Sequence, residues 1–208
     1  MIYEFEKKYT DFDQFCMYIK NPDDLMSWFK HNKVIWNRTG DETIDPNEYP
    51  FAFPDDILET KEGICYDIGL FVYYFCRRFR IPVRIGRIAL YIQLKDSDEY
   101  YCWGHIFAAY KYNKTYNVFH YDEDEAFLYK GYTSWDEAIS KYADILFKKC
   151  SHIANKKYKV SDIKGPYYAY IDPKGYTHID NIYNNHNITQ NQFIEMFPDA
   201  YVKFPLDD

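Results

Sequence analysis

The segment CYDIGLFVYYFCRRF, residues 65 to 79, constrains the fold more than any other part of the chain. Ile68, Phe71, Val72, Phe75, Cys76 and Phe79 recur at intervals of three and four, the spacing that lines one face of a helix. Tyr73 and Tyr74 widen that stripe, so little polar surface remains and the helix is expected to be largely buried. Arg77, Arg78 and Arg80 fall near its C-terminus, where they complement the helix dipole. Pro82 ends it. Such a helix needs cover around most of its circumference, and the rest of the chain has to supply it.

Strands follow at once. VRIGRIALYIQL (83–94) alternates and is rich in β-branched residues, and YYCWGHIFAAYKY (100–112) reads as a second strand. Asn113-Lys114 is a hairpin-like turn into TYNVFHY (115–121), a third strand. Consecutive strands on short turns imply an antiparallel sheet. Upstream, DFDQFCMYIK places Phe12, Phe15, Cys16 and Ile19 at helical spacing. Asn21 is a candidate N-cap with Pro22 as the first helical residue, and Leu25, Met26, Trp28 and Phe29 form an apolar face. NRTGDETIDPNEYPFAFP reads as a loop and PDDILETKEG as a short helix or turn. TSWDEAISKYADILFKK is a helix with Ser134 as N-cap and Glu137 as its capping-box partner. The tail holds a strand, YYAYI, a turn, DPKG, and a short helix, TQNQFIEMF. Helices, then a sheet, then more helix define an α+β class. The expected division is a core over 1–150 and a C-terminal extension over 151–208 packed on it, one domain overall.

Composition narrows the function classes. The 208 residues are 47% hydrophobic, enough to build a real core, and the 24 Tyr and 16 Phe make any single aromatic weak evidence for a site. A net charge of -7 without a Lys/Arg block argues against nucleic acid as a partner. Cys16, Cys65, Cys76, Cys102 and Cys150 are odd in number and widely spaced, which suits neither a disulfide framework nor a zinc site. No metal or cofactor is called for. No signal peptide or membrane-spanning run is evident, so a cytoplasmic protein away from membranes is expected.

One cysteine stands apart. Cys65 follows Gly63-Ile64 and opens the apolar helix, where unpaired N–H groups favour a thiolate and can hold an oxyanion. Cys76 lies on the apolar face and Cys102 within a strand. A nucleophile there needs a base, and His105 follows Gly104 in the second strand. The hairpin returns residues 116–122 beside 105–111, so His120 and Asp122 fall near His105 and share its face. Asp67 suits the helix dipole as a first-turn acid, with substrate contact as the alternative. Trp103 and Gly104 are candidates to line a cleft beside His105. The acidic run DEDE (122–125) reads as a solvated loop.

These motifs resemble the transglutaminase-like superfamily. LETKEGICYDIGLFVYYFCRRFRIPVRIGRI is similar to its nucleophile segment, of form GxCxD followed by a buried helix, a Gly-Ile-Pro-like turn and then an Arg or Lys, and WGHIFAAYKYNKTYNVFHYDED to its His strand, hairpin and acid strand. The resemblance spans residues 25–145 and is strongest over 57–122. DLMSWFKHNKVIW resembles the helix that often precedes the motif, and YKGYTSWDEAISKY the helix that follows the acid strand in bacterial and phage proteins of this type. It implies a papain-like fold, a Cys-bearing helix on an antiparallel sheet carrying His and the acid. A gapless match puts His120 in the acid slot, with Asp122 two residues further on. The implied triad is Cys65, His105 and Asp122, with His120 as the alternative third member. The implied activity is cysteine-dependent acyl transfer on a protein or peptide: hydrolysis by a peptidase, amidase or deamidase, or cross-linking of Gln to an amine. A degenerate fold that only binds protein or peptide is the reading from a different class.

Overall fold

The computed structural model describes residues 5–36, 52–122 and 125–171. Three layers stack: short helices and one long buried helix, a five-stranded sheet, and a second long helix. The first layer holds α1 (Phe12–Tyr18), α2 (Pro22–Asn32), α3 (Pro54–Thr60) and α4 (Cys65–Arg78). A two-residue parallel pair, β1 (Ile35–Trp36) and β2 (Glu62–Gly63), matches Trp36 with Gly63. The sheet comprises β3 (Val83–Leu94), β4 (Tyr100–Tyr112), β5 (Thr115–Asp122), β6 (Glu125–Tyr132) and β7 (Val160–Ile171) in the order β6-β5-β4-β3-β7. Every pairing in it is antiparallel. The helix α5 (Trp135–Lys157) closes the far face.

Local chemistry sets the element ends. The Asp11 carboxylate accepts from Gln14 N–H, and the Asn21 side chain accepts from Asp23 and Asp24 N–H with Pro22 as the first helical residue. The helix interiors then pack ring on ring. Phe15, Trp28 and Phe29 surround Phe71 of α4 with centroids 5.3 to 5.8 Å apart. At α5, Ser134 accepts from Glu137 N–H, but Glu137 bonds Thr133 rather than returning to Ser134, so the expected capping box is shifted by one residue.

The sheet departs from expectation in one respect that matters. β3 is buried at nearly every position instead of alternating. Its two faces serve two cores: Val83, Ile85, Ile106, Ala108, Tyr110, Phe119 and Tyr121 pack with α1–α4, while Ile88, Leu90, Phe107, Ala109 and Val118 pack with α5. A strand covered on both sides has no polar face to show. β6 was also not anticipated, since the DEDE run gives way to a strand at Glu125. The YYAYI strand is the end of a longer one that begins at Val160. Residue 150 lies inside α5, and β7 pairs directly with β3. The DPKG turn, the TQNQFIEMF helix and residues 37–51 of the expected loop lie outside the described residues. Among the described residues no helix is long and apolar enough to cross a membrane.

Candidate active site

Cys65 is the first residue of α4 and is almost fully buried. The entry is held by Asp67, whose Oδ2 accepts from Ile64 N–H at 2.8 Å and whose Oδ1 accepts from Ala52 N–H at 2.9 Å. The Asp67 side chain is completely buried. Both oxygens are therefore committed to the backbone, and the expected alternative of substrate contact does not hold. Gly63 has a steric reason: a Cβ there would lie 3.2 Å from the Asp67 Cβ and 3.3 Å from Ile68 Cδ1. The first helical bond runs from Ile68 N–H to Ile64 C=O. The N–H groups of Cys65, Tyr66 and Asp67 precede it at the positive end of the helix dipole, which makes this end an anion-favouring one.

His105 lies on β4 at the same end of the molecule. Gly69, one turn (about 6 Å) beyond Cys65, packs so closely on Ile106 that an added Cβ would come within 2.9 Å of its Cγ2. Trp36, paired with Gly63 just ahead of Cys65, lies nearly parallel to the His105 ring with centroids 6.5 Å apart. Arg87 is buried beside this region and hydrogen bonds Tyr66, the residue after Cys65, and Cys102.

The contacts order the two candidates for a third member. His105 Nε2 and His120 Nδ1 are 2.7 Å apart, a buried hydrogen bond. Asp122 Oδ2 stands 3.9 Å from the other nitrogen of His120, Nε2, and 2.6 Å from Lys149 Nζ of α5. Asp122 is thus not the direct partner of His105, as the sequence reading preferred. It stands behind His120, and the two alternatives occupy successive places in one line: His105, His120, Asp122, Lys149. The carboxylate favours a proton on His120 Nε2. In that tautomer His120 Nδ1 accepts the hydrogen bond from His105 Nε2–H, which leaves His105 a lone pair on Nδ1, the tautomer a general base requires.

The electrostatics favour neutral rings. Burial lowers His105 to about 4; the Asp122 charge opposes that shift and the Lys149 charge reinforces it. Burial likewise lowers His120 well below the ordinary imidazole value, with further lowering from His105 and Lys149. His120 stacks on Phe127 at 5.3 Å and meets Tyr142 of α5 at 5.3 Å. The Tyr142 hydroxyl is buried with no hydrogen-bond partner, and its pKa is pushed well above the ordinary value, first by burial, then by Tyr129, Asp122 and Cys65. Burial pushes Cys16 up to about 12 and Cys76 further still.

By strand alternation, His105 and His120 belong to the α5 side of the sheet, with Phe107 and Val118, whereas α4 packs on Ile106 and Tyr121. The β4–β5 ladder reaches only Ala108↔Phe119, and the two histidines lie just beyond it. Trp103 and Gly104 continue outward along β4, with Trp103 exposed. Lys149, Trp36, Tyr142 and Arg87 were not singled out from sequence. They come from three separate elements, β1, β3 and α5, and only Arg87, a charge inside an apolar strand pattern, carried a local signal. Among the described residues no group of His, Cys, Asp and Glu could hold a metal ion. No protein-family model matches the chain, and no curated protein matches it.

Proposed function

We propose that this protein is a cysteine-dependent acyl-transfer enzyme of transglutaminase-like, papain-like type that hydrolyses an amide or peptide bond. The observation that carries the reading is the buried line from His105 through His120 to Asp122, at the end of the molecule where α4 begins with Cys65. In this reading the Cys65 proton passes to His105 Nδ1 and the sulfur adds to the substrate carbonyl carbon. First-turn N–H groups of α4 hold the oxyanion. The C–N bond breaks, the amine leaves with the proton from His105, and water hydrolyses the thioester. An amine in place of water gives cross-linking.

A second reading, a binding module that keeps the fold without the reaction, is favoured by one observation. The group touching His105 is a neutral imidazole, and alternation sets both rings toward α5. Catalysis needs His105 Nδ1 to reach Cys65 through the open end of the β4–β5 ladder. Reaction with p-nitrophenyl acetate separates the readings. The enzyme gives a burst of p-nitrophenol equal to the protein concentration and an acetyl group on Cys65 by peptide mapping, both lost in Cys65→Ser. A binding module acquires no acetyl group on Cys65 above the level on exposed Cys102.

A further inference from the structure

β4 outruns its partner on one side. β5 ends at Asp122, level with His105 when the Ala108↔Phe119 register is continued. Among the described residues, Tyr100–Gly104 therefore pair with β3 alone. Lys111 N–H donates to Pro82 C=O, toward β3, and the β3–β4 register runs without a break from Val83↔Tyr110 to Gln93↔Tyr100. Alternation then points the main-chain N–H and C=O of Cys102 and Gly104 away from β3, to the side where no described strand pairs with them.

Sheets protect open edges with charge, proline, bulges or cover. The outer strands here carry such devices. β7 has Lys164, Pro166 and register breaks against β3, and β6 has Lys130 and a break against β5. The stretch YYCWG has no charge and no proline, and its ladder is regular. Gly104 is not required by packing, because a Cβ there would only touch Arg87 and Ile88 at 3.8 and 3.9 Å. A glycine in such a strand leaves room for a second main chain. Tyr101 and Trp103 stand on the His105 face, 54% and 37% exposed.

We propose that this edge is the substrate subsite and takes one extended peptide as an added strand, delivering its carbonyl to the end of the edge at His105. The inference rests on the acyl-transfer reading of Cys65 and His105. The edge offers donor and acceptor pairs at two-residue spacing, which a peptide backbone matches. Alternate peptide side chains then lie against Tyr101 and Trp103, so apolar or aromatic residues at every second position are selected. The adjacent strand is uncharged from Tyr100 to Tyr110, which sets no demand for a charged ligand.

The test uses the full chain as Cys65→Ala, which does no chemistry, and a randomised library of acetylated, amidated octapeptides. Captured sequences are resynthesised and bound while amide hydrogen exchange is followed. The Cys102 and Gly104 amides are expected to exchange at least tenfold more slowly with peptide. N-methylation of alternate peptide amides should weaken binding at least tenfold, the intervening amides should tolerate it, and Trp103→Lys should weaken binding comparably. Peptide binding without slowing at these amides, no binding at all, or protection arising from self-association without peptide each overturns the proposal. An inert Cys65 beside a peptide-protected edge would instead overturn the acyl-transfer reading and leave the subsite standing.

Discussion

At the scale of single residues, the imidazole pair governs what the site can do. A histidine in direct contact with His105 supplies orientation without fixed charge. The charge stands one place further back, on Asp122, and is partly neutralised by Lys149. Burial therefore dominates, and the folded protein holds His105 near 4 where the unfolded chain has about 6.5. As pH falls below 6.5 the unfolded state takes up its proton first, so folding stability declines until pH nears 4. Between pH 7 and pH 5 the loss from His105 alone is about 2 kcal/mol. Urea unfolding at stepped pH is expected to show that decline, and His105→Asn to make it shallower while buried His120 keeps its own share. A flat profile in the parent chain would mean that the rings are not buried as neutral groups. The sequence named both His120 and Asp122 but not their order, because that depends on where the β4–β5 ladder stops.

At the scale of elements, the hairpin was legible because its chemistry is local. Asn113 and Lys114 both adopt positive φ, 51° and 68°, in a two-residue turn that matches strand twist. That fixes the register and brings His105 beside the end of β5. The Cys65 helix was legible from period and punctuation alone. β6 was not, since EAFLYKGY shows no clean alternation and follows an acidic run. The burial of β3 on both faces was not either, because its cover comes from α5, more than forty residues away in sequence. Gly86 marks that second face. A Cβ there would lie 2.0 Å from Phe107 Cζ, and Phe107 is fully buried. Gly86→Ala is expected to cost at least about 2 kcal/mol by overpacking, read from chemical denaturation. A change below about 0.5 kcal/mol, the scale of surface substitutions, would show that the ring moves aside.

At the scale of the whole molecule, the sheet is a wall between two cores, and the candidate site sits where that wall opens. α4 brings Cys65 to the opening from one side, α5 brings Lys149 and Tyr142 from the other, and β4 runs outward from it along an edge that no described strand pairs. Under the proposed function, one short stretch of strand would serve both the reaction and the substrate. It depends on Cys65 and His105 acting together through the opening, with neutral His105 taking the thiol proton as the sulfur attacks. The most direct check is the rate of Cys65 carboxamidomethylation by iodoacetamide across pH, with the label located by peptide mapping. Alkylation at pH 6 is expected well above that of a free thiol of pKa about 8.5, with a loss of at least about tenfold in His105→Ala and a smaller loss in Asp122→Asn. A single titration near about 8.5 that is indifferent to His105 would contradict it.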